Sequence, residues 1–161
     1  MKKIDQAFDN ALHLLTAPVT VVGASSAGVL GGLTAAWVTR VSLLPPLLVV
    51  AIGRKRHTWG VLAAADELSI SVLHEDQLEV ARLFGMNSGR DIDKWALTPH
   101  DLIGDGVPVV ADCSARYLCR LTDRFATGDH DCLVCEILTA ETIRGAPVLP
   151  LRGADYAPGK S

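Results

Sequence analysis

The sequence predicts a mainly β fold of the α+β kind, an antiparallel barrel with helices at its periphery. Segments rich in strand formers outnumber segments with helical periodicity. Most adjoining strand segments are separated by turn residues, with no room for the crossover helix that a parallel sheet needs. The 161 residues are close to one domain's worth of chain. A single domain is expected over residues 1–153, with a frayed tail over 154–161.

A helix opens the chain. Ile4, Phe8, Ala11, Leu12 and Leu15 fall on one apolar face, and Pro18 ends the helix. PVTVVGA, from Pro18, is the first strand, and GASSAG supplies a hairpin turn. VLGGLTAAW, Val29 to Trp37, returns as the second strand. Its Gly31-Gly32 pair marks a bulge or a place where another group approaches the backbone. LLVVAIG, Leu47 to Gly53, is a third, buried strand entered through Pro45-Pro46. Thr58 is placed to cap a short helix, Trp59 to Ala65, and ELSISVL follows as a strand. Asp76 and Glu79 have capping-box spacing ahead of Val80, Leu83 and Phe84, with Gly85 as the stop. Met86 to Gly106 is polar and turn-rich, which predicts a long excursion over the surface. VPVVA, ARYLCRLTDRF and CLVCEILTAETI complete the strands. In the second of these Tyr117, Cys119 and Leu121 share one face, and Arg116, Arg120 and Thr122 the other.

Composition narrows the function classes. Fifteen Lys and Arg against eighteen Asp and Glu leave a net charge of −3, so nothing in the bulk charge attracts nucleic acid or an anionic membrane. Charged residues make up 20 % against roughly 25 % in an average soluble domain, and 49 % are hydrophobic. That surplus of apolar surface predicts a homo-oligomer. The uncharged run from Ala11 to Thr39 is long enough to span a bilayer, but Pro18 and Gly23, Gly28, Gly31 and Gly32 read as strands and turns. Asp5 and Asp9 interrupt any signal-peptide core, so a cytoplasmic protein is expected. Cys132 and Cys135 form a CxxC on a strand, where residues three apart face opposite ways. All four cysteines are therefore expected to be buried, reduced thiols.

Three segments carry candidate chemistry. In LTAAW, Thr34 offers a hydroxyl, and Ala35 and Ala36 leave the backbone amides uncovered beside Trp37. A flat, acceptor-rich ligand suits such a strand, and so does simple packing against a neighbour. In GRKRHTW, Gly53 to Trp59, the cations Arg54, Lys55 and Arg56 with His57 form the densest basic cluster, just before a helix start. This is the chemistry of a phosphate site, although a solvated basic turn has the same composition. In TGDHD, Gly128 and Asp129 make a turn that presents His130. The histidines have no metal-ligand spacing, and the P-loop, the GxGxxG fingerprint and the GxSxG elbow are all absent.

Taken in order, PVTVV, LTAAWVTRVSLLPPLLVVAIGRKRHT, SGRDIDKW and GDHDCLVCEIL resemble the flavin reductase-like FMN-binding family, in particular its flavoredoxin-type branch. The resemblance implies a split β-barrel that binds FMN near the interface of a homodimer. It places Thr34, Ala35, Ala36 and Trp37 beside the flavin ring and ribityl chain, and Ile52, Gly53, Arg56 and Thr58 around the phosphate. His130 is placed near the nicotinamide of NADH or NADPH. Arg90, Asp93 and Lys94 match a motif of the branch without an individual role. The implied activity is NAD(P)H-dependent flavin reduction, with electrons passed to an acceptor such as a monooxygenase or an electron-transfer protein. The alternative is a non-enzymatic FMN electron carrier reduced by a protein partner. The chain departs from the family at Cys135, where glycine is common, and at Leu149 and Leu151, where some members have an aromatic.

Overall fold

The computed structural model describes residues 6–156. In chain order the elements are α1 (Gln6–Leu12), β1 (Thr20–Ser26), β2 (Val29–Ala35), β3 (Val38–Ser42), β4 (Leu47–Gly53), α2 (Trp59–Ala64), β5 (Glu67–Val72), α3 (Leu78–Met86), β6 (His100–Ile103), β7 (Val107–Val110), β8 (Ala115–Thr127) and β9 (His130–Thr142), closed by a 3-10 turn, Gly153–Tyr156. Seven strands form one sheet in the order β2-β1-β5-β8-β9-β4-β3, every pair antiparallel. β6 and β7 form a separate hairpin.

The two edge strands of the large sheet, β2 and β3, are consecutive in the chain and joined only by Ala36 and Trp37. Such a short link forces the sheet to curl until its edges meet, and the Ala51 amide, donating to the Trp37 carbonyl at 2.9 Å, carries the β3–β4 ladder back onto the link. The edges do not pair with each other, so the result is a split barrel. VLGGLTAAW is thus not one strand through Trp37. It ends at Ala35, and a new strand that the sequence pattern did not separate begins at Val38.

Two apolar clusters hold the barrel. Val22, Ala24, Leu33, Leu48, Val50, Ile52, Leu68, Ile70, Cys119, Leu133 and Cys135 fill its interior. Val19, Val21, Leu73, Ala81, Phe84, Trp95 and Leu149 pack on the outside of β1, beneath α3. Both faces of β1 are therefore buried, which explains its unbroken apolar run. β4 alternates strictly, with Leu48, Val50 and Ile52 inward. The CxxC obeys the same rule. All four thiols are free, Cys135 points into the core, and Cys132 faces the other way and is half-buried instead of buried. Burial pushes the thiols of Cys119 and Cys135 up to about 12.

Several local expectations are corrected. The Gly31-Gly32 pair forms no bulge, because β1 and β2 keep one register throughout, from Thr20↔Ala35 to Ser26↔Val29. It is a close approach: a Cβ built on Gly32 would lie 2.6 Å from Phe84 and 2.9 Å from Trp95. Thr58 caps no helix by its side chain, since its Oγ1 donates to the Gly32 carbonyl at 3.2 Å. Asp76 and Glu79 form no capping box. Gln77 is the N-cap of α3, and Asp76 is drawn instead into an ion pair with Arg144 at 2.7 Å, which holds its carboxyl down at about 2. Gly85 does not stop α3, which runs to Met86. The Met86 to Gly106 stretch is not a purely surface excursion, because Lys94 and Trp95 in its middle are buried and the Trp95 indole donates to the Gly31 carbonyl at 3.1 Å.

At the start of the chain, Phe8 and Leu12 of α1 and Leu14 and Leu15 just after it are exposed, so much of the apolar face expected for this helix is open to solvent. Ile4, expected on that face, lies outside the described residues. The tail expected to fray continues as the 3-10 turn, where the Arg82 Nε donates to the Asp155 carbonyl at 2.9 Å; residues 157–161 lie outside the described residues. No helix among the described residues is long and apolar enough to cross a membrane.

The close approach at Gly32 sets a testable expectation. Gly32→Ala drives a methyl group into two buried rings that have no room to retreat. The overpacking is expected to lower unfolding stability by about 1–3 kcal/mol. Urea denaturation reads this directly, and an unchanged midpoint would contradict the packing described.

Candidate functional site

The seam of the barrel is a cleft of about 240 Å³. Leu33, Thr34, Ala35, Ala36 and Trp37 form one wall, Ala51, Ile52 and Gly53 another, and Arg56, His130 and Leu151 complete it. An adjoining cavity of about 290 Å³ shares Leu33 and Arg56 with the cleft and adds Lys55, His57, Thr58, Met86, Asn87, Ser88, Gly89, Arg90 and Lys94. Strands that meet only at the seam thus bring together eight of the residues singled out in the sequence, and the ninth, Thr58, lines the neighbouring cavity.

The structure shows what each of these residues offers the cleft. β2 has a ladder partner on one side only, so its outer edge carries no strand pairing beside the cleft. The Thr34 hydroxyl is not a free donor: it binds the Ala81 carbonyl at 2.7 Å and ties the strand to α3. Ala35 and Ile52 are buried, with Ile52 in the barrel core, so what Ile52 offers the cleft is backbone. Trp37 is 60 % exposed and stands at the cleft's rim. Its ring lies 4.7 Å from that of His130, tilted by 45°.

His130 is held from both sides. Its Nδ1 lies 2.7 Å from Asp129 Oδ1, which makes Nδ1–H the donor and leaves Nε2 facing Gly53. That hydrogen bond, with the charge of the imidazolium second, lowers the Asp129 carboxyl from its ordinary value. Gly53 and His130 are register partners across β4 and β9, and a Cβ on Gly53 would come within 3.6 Å of Nε2.

The basic segment divides by function. Arg54 turns away from the cavity and binds the β8–β9 turn, so it does not belong to the anion site. Arg56 reaches only a neutral partner, the Gly85 carbonyl, at 3.1 Å. Lys94 carries the decisive chemistry, and the sequence reading had assigned it no role. The residue is 5 % exposed, and its Nζ donates to the Phe84 and Asn87 carbonyls at 3.2 Å each. An ammonium has three donors, so among the described residues one is left without an oxygen acceptor, the nearest further group being the Phe84 ring at 5.4 Å. Burial, with the charge of Arg56 second, pulls its pKa down from 10.5 to about 8. Among the described residues no carboxylate forms an ion pair with Lys55, Arg56, Arg90 or Lys94. Cations gathered without counter-charges make a receptor for an anion. A narrow slot with free strand edges beside an anion receptor suits a flat ring that carries a phosphate.

Comparison with known proteins identifies the family. The model of the flavin reductase like domain matches residues 12–157, and the chain belongs to that family. The NADH:riboflavin 5'-phosphate oxidoreductase of Streptomyces pristinaespiralis is 38% identical over 127 residues, covering 78% of this chain and 71% of the relative. The reductase component of the 4-nitrophenol 4-monooxygenase/4-nitrocatechol 2-monooxygenase of Rhodococcus opacus is 30% identical over 154 residues, covering 95% and 81% of the two chains. Among solved structures, the NADH:FAD oxidoreductase of Streptomyces globisporus C-1027, in complex with NAD and FAD fragments, superposes with a TM-score of 0.83 at 25% identity over 100% of both chains.

Some residues of the cleft were legible only in part. Leu151 lines it where some family members carry an aromatic, whereas Leu149 is buried in the outer cluster and reaches no part of it. Lys94 was marked only by its place in SGRDIDKW, since neither periodicity nor charge clustering singles out one lysine in a loop.

An anion receptor is testable with the simplest anion. Inorganic phosphate is expected to raise the thermal midpoint above that in chloride at equal ionic strength, by mass action on the folded state. Lys94→Met is expected to remove most of that rise. Equal midpoints in the two salts for the wild type would contradict the site.

Proposed function

We propose that the seam cleft holds the flavin of an NADH-dependent flavin reductase, the ring along the edge of β2 and the phosphate between Arg56 and Lys94. The uncompensated, buried ammonium of Lys94 carries this reading, because nothing else among the described residues explains a lysine desolvated beside Arg56 without a carboxylate. The relatives' activities point the same way: the chain is an oxidoreductase that uses FMN and NADH.

Bound flavin supplies the redox chemistry, accepting a hydride from reduced nicotinamide and passing electrons onward. The protein's residues bind and orient. Thr34, Ala35, Ala36 and Trp37 form the wall against which the ring lies, with Thr34 fixed by its bond to α3. Ile52 and Gly53 form the opposite wall. Arg56 and Lys94 take the phosphate, with Thr58 holding the cavity wall through Gly32. His130, braced by Asp129 and Trp37, stands on the nicotinamide side and narrows the approach. No side chain here has to act as nucleophile or general base.

The assembly follows from the surface. Leu12, Leu15, Trp37, Val38 and Val49 line an apolar groove of about 770 Å³ that continues from the cleft, and Leu43 and Leu44 are exposed at the β3–β4 turn. A second copy covering this face would make a homodimer with the flavin close to its interface. The expected form is one flavin-binding domain over residues 1–153, located in the cytoplasm. The acceptor is a partner such as a monooxygenase component, as for the Rhodococcus opacus relative. Light scattering is expected to give twice the 17.1 kDa chain mass, and a monomer at micromolar concentration would contradict the dimer.

Flavin reduction is tested by mixing the protein anaerobically with FMN and NADH. Rapid bleaching of the flavin is expected, and its absence would favour the electron-carrier alternative. Three further expectations probe the residues. FMN is expected to bind more tightly than riboflavin by about 1–3 kcal/mol. Lys94 in the free protein loses its proton as pH rises through about 8, and a bound phosphate favours the protonated form. FMN affinity is therefore expected to fall above pH 8 by up to about tenfold per unit while riboflavin affinity stays level. Parallel pH profiles in a fluorescence titration would refute the phosphate assignment. His130→Ala is expected to slow flavin reduction at saturating NADH by about 10- to 100-fold and to leave FMN affinity unchanged, read by stopped flow. An unchanged rate would remove His130 from the reaction.

A further inference from the structure

We propose that Arg54 is a positioning residue for His130, locking the turn that carries the imidazole onto the end of β4. The inference rests on the reading of His130 as the residue on the nicotinamide side.

The β8–β9 hairpin is long, and its turn projects past the strands that flank it. β5 pairs with β8 only from Ala115 to Arg120, so beyond Leu121, whose amide donates to the Asp66 carbonyl at 2.9 Å, β9 is the only strand beside β8 among the described residues. The ladder between β4 and β9 stops at Gly53↔His130. Beyond it lies the turn, with Gly128 at φ +46. Only the two turn residues, Gly128 and Asp129, lie beyond the ladder, and neither pairs with β4. His130 is the last laddered residue, so any twist of the tip swings its ring.

Arg54 follows β4 directly and closes this gap with four contacts to four successive residues. Its backbone amide donates to the Asp129 carbonyl at 3.3 Å. Its Nη2 donates to the Gly128 carbonyl at 2.6 Å and the His130 carbonyl at 3.1 Å. Its Nε donates to Asp131 Oδ1 at 3.0 Å. Asp131 is buried, and on a strand its side chain points to the face opposite His130. Gripping Asp131 on one face and the two carbonyls beyond it fixes the rotation of the strand about its axis. The imidazole on the other face is thereby held against Trp37. A lysine makes a poor substitute, because one point charge cannot span these acceptors as a planar fork does.

The test uses the full-length protein with Arg54→Met, Arg54→Lys and the near-isosteric Asp131→Asn. The first readout needs no flavin: the His130 ring resonance by NMR, assigned by its loss in His130→Ala and displaced by the Trp37 ring current. Arg54→Met is expected to move that resonance toward the position of an unstructured histidine while the other histidines stay in place. Asp131→Asn is expected to move it in the same direction, which keeps the test open if Arg54→Met fails to fold. The second readout is flavin reduction at saturating NADH, expected to slow by about tenfold in Arg54→Met with FMN affinity unchanged and to recover in part in Arg54→Lys. Arg54→Met added to His130→Ala is expected to cause no further loss, the mark of one acting through the other. An unmoved resonance with an unchanged rate in a folded Arg54→Met protein would overturn the proposal, and so would fully additive losses in the double variant. A fast His130→Ala protein would instead strike the reading of His130 and remove the kinetic role of Arg54. The resonance would then still decide whether Arg54 fixes the imidazole.

Discussion

The constraint on which the rest of this structure depends is the two-residue link between β2 and β3. Strands at opposite edges of a seven-stranded sheet are joined by Ala36 and Trp37 alone, so the sheet has to close on itself. It does so without pairing its edges, and the seam that remains is a slot between an unpaired strand edge and the end of β4. Small side chains at Ala35 and Ala36 keep the slot open. At the glycine pair ahead of them, Thr58 and Val61 press against one face of the strand and Phe84 and Trp95 against the other. The edge beside the slot thus belongs to an element braced on both faces.

Charge is distributed with equal economy. The chain is acidic overall, yet beside the seam it collects Lys55, Arg56, Arg90 and Lys94 with no described acidic partner. Desolvating Lys94 disfavours its charged form, and two backbone carbonyls offset only part of that penalty. On the proposed reading, a phosphate held there offsets the rest of that penalty. Arg54 shows why proximity in sequence is a poor guide here. It lies two residues from Arg56, but its charge is neutralised by Asp131 and its function is mechanical.

Much of this was legible in the sequence, for physical reasons that can be named. The barrel class followed from strands joined by turns, and the apolar run LLVVAIG marked a buried strand, which folds with Leu48, Val50 and Ile52 inward. The cleft residues from Thr34 to Trp37 and the basic turn were recognisable because small residues and clustered cations are local signals. What was not legible depends on contacts distant in the chain. Thr34 and Thr58 look like free hydroxyls until α3 and β2 supply Ala81 and Gly32 as acceptors. Asp76 looks like a helix cap until Arg144, sixty-eight positions away, takes its carboxylate. Lys94 looks like any loop lysine until folding buries it beside Arg56. The β2–β3 break was missed because a bend at Ala36 leaves no mark when the flanking residues are all strand formers.

The most direct measurement of this account is a crystal structure of the protein with FMN bound. The ring is predicted to lie in the seam, along the backbone of Thr34 to Trp37 and facing Gly53, with phosphate oxygens within hydrogen-bond distance of both Lys94 Nζ and the Arg56 guanidinium. Flavin bound away from the seam, or in the seam with its phosphate in solvent and Lys94 still bonded only to Phe84 and Asn87, would contradict it.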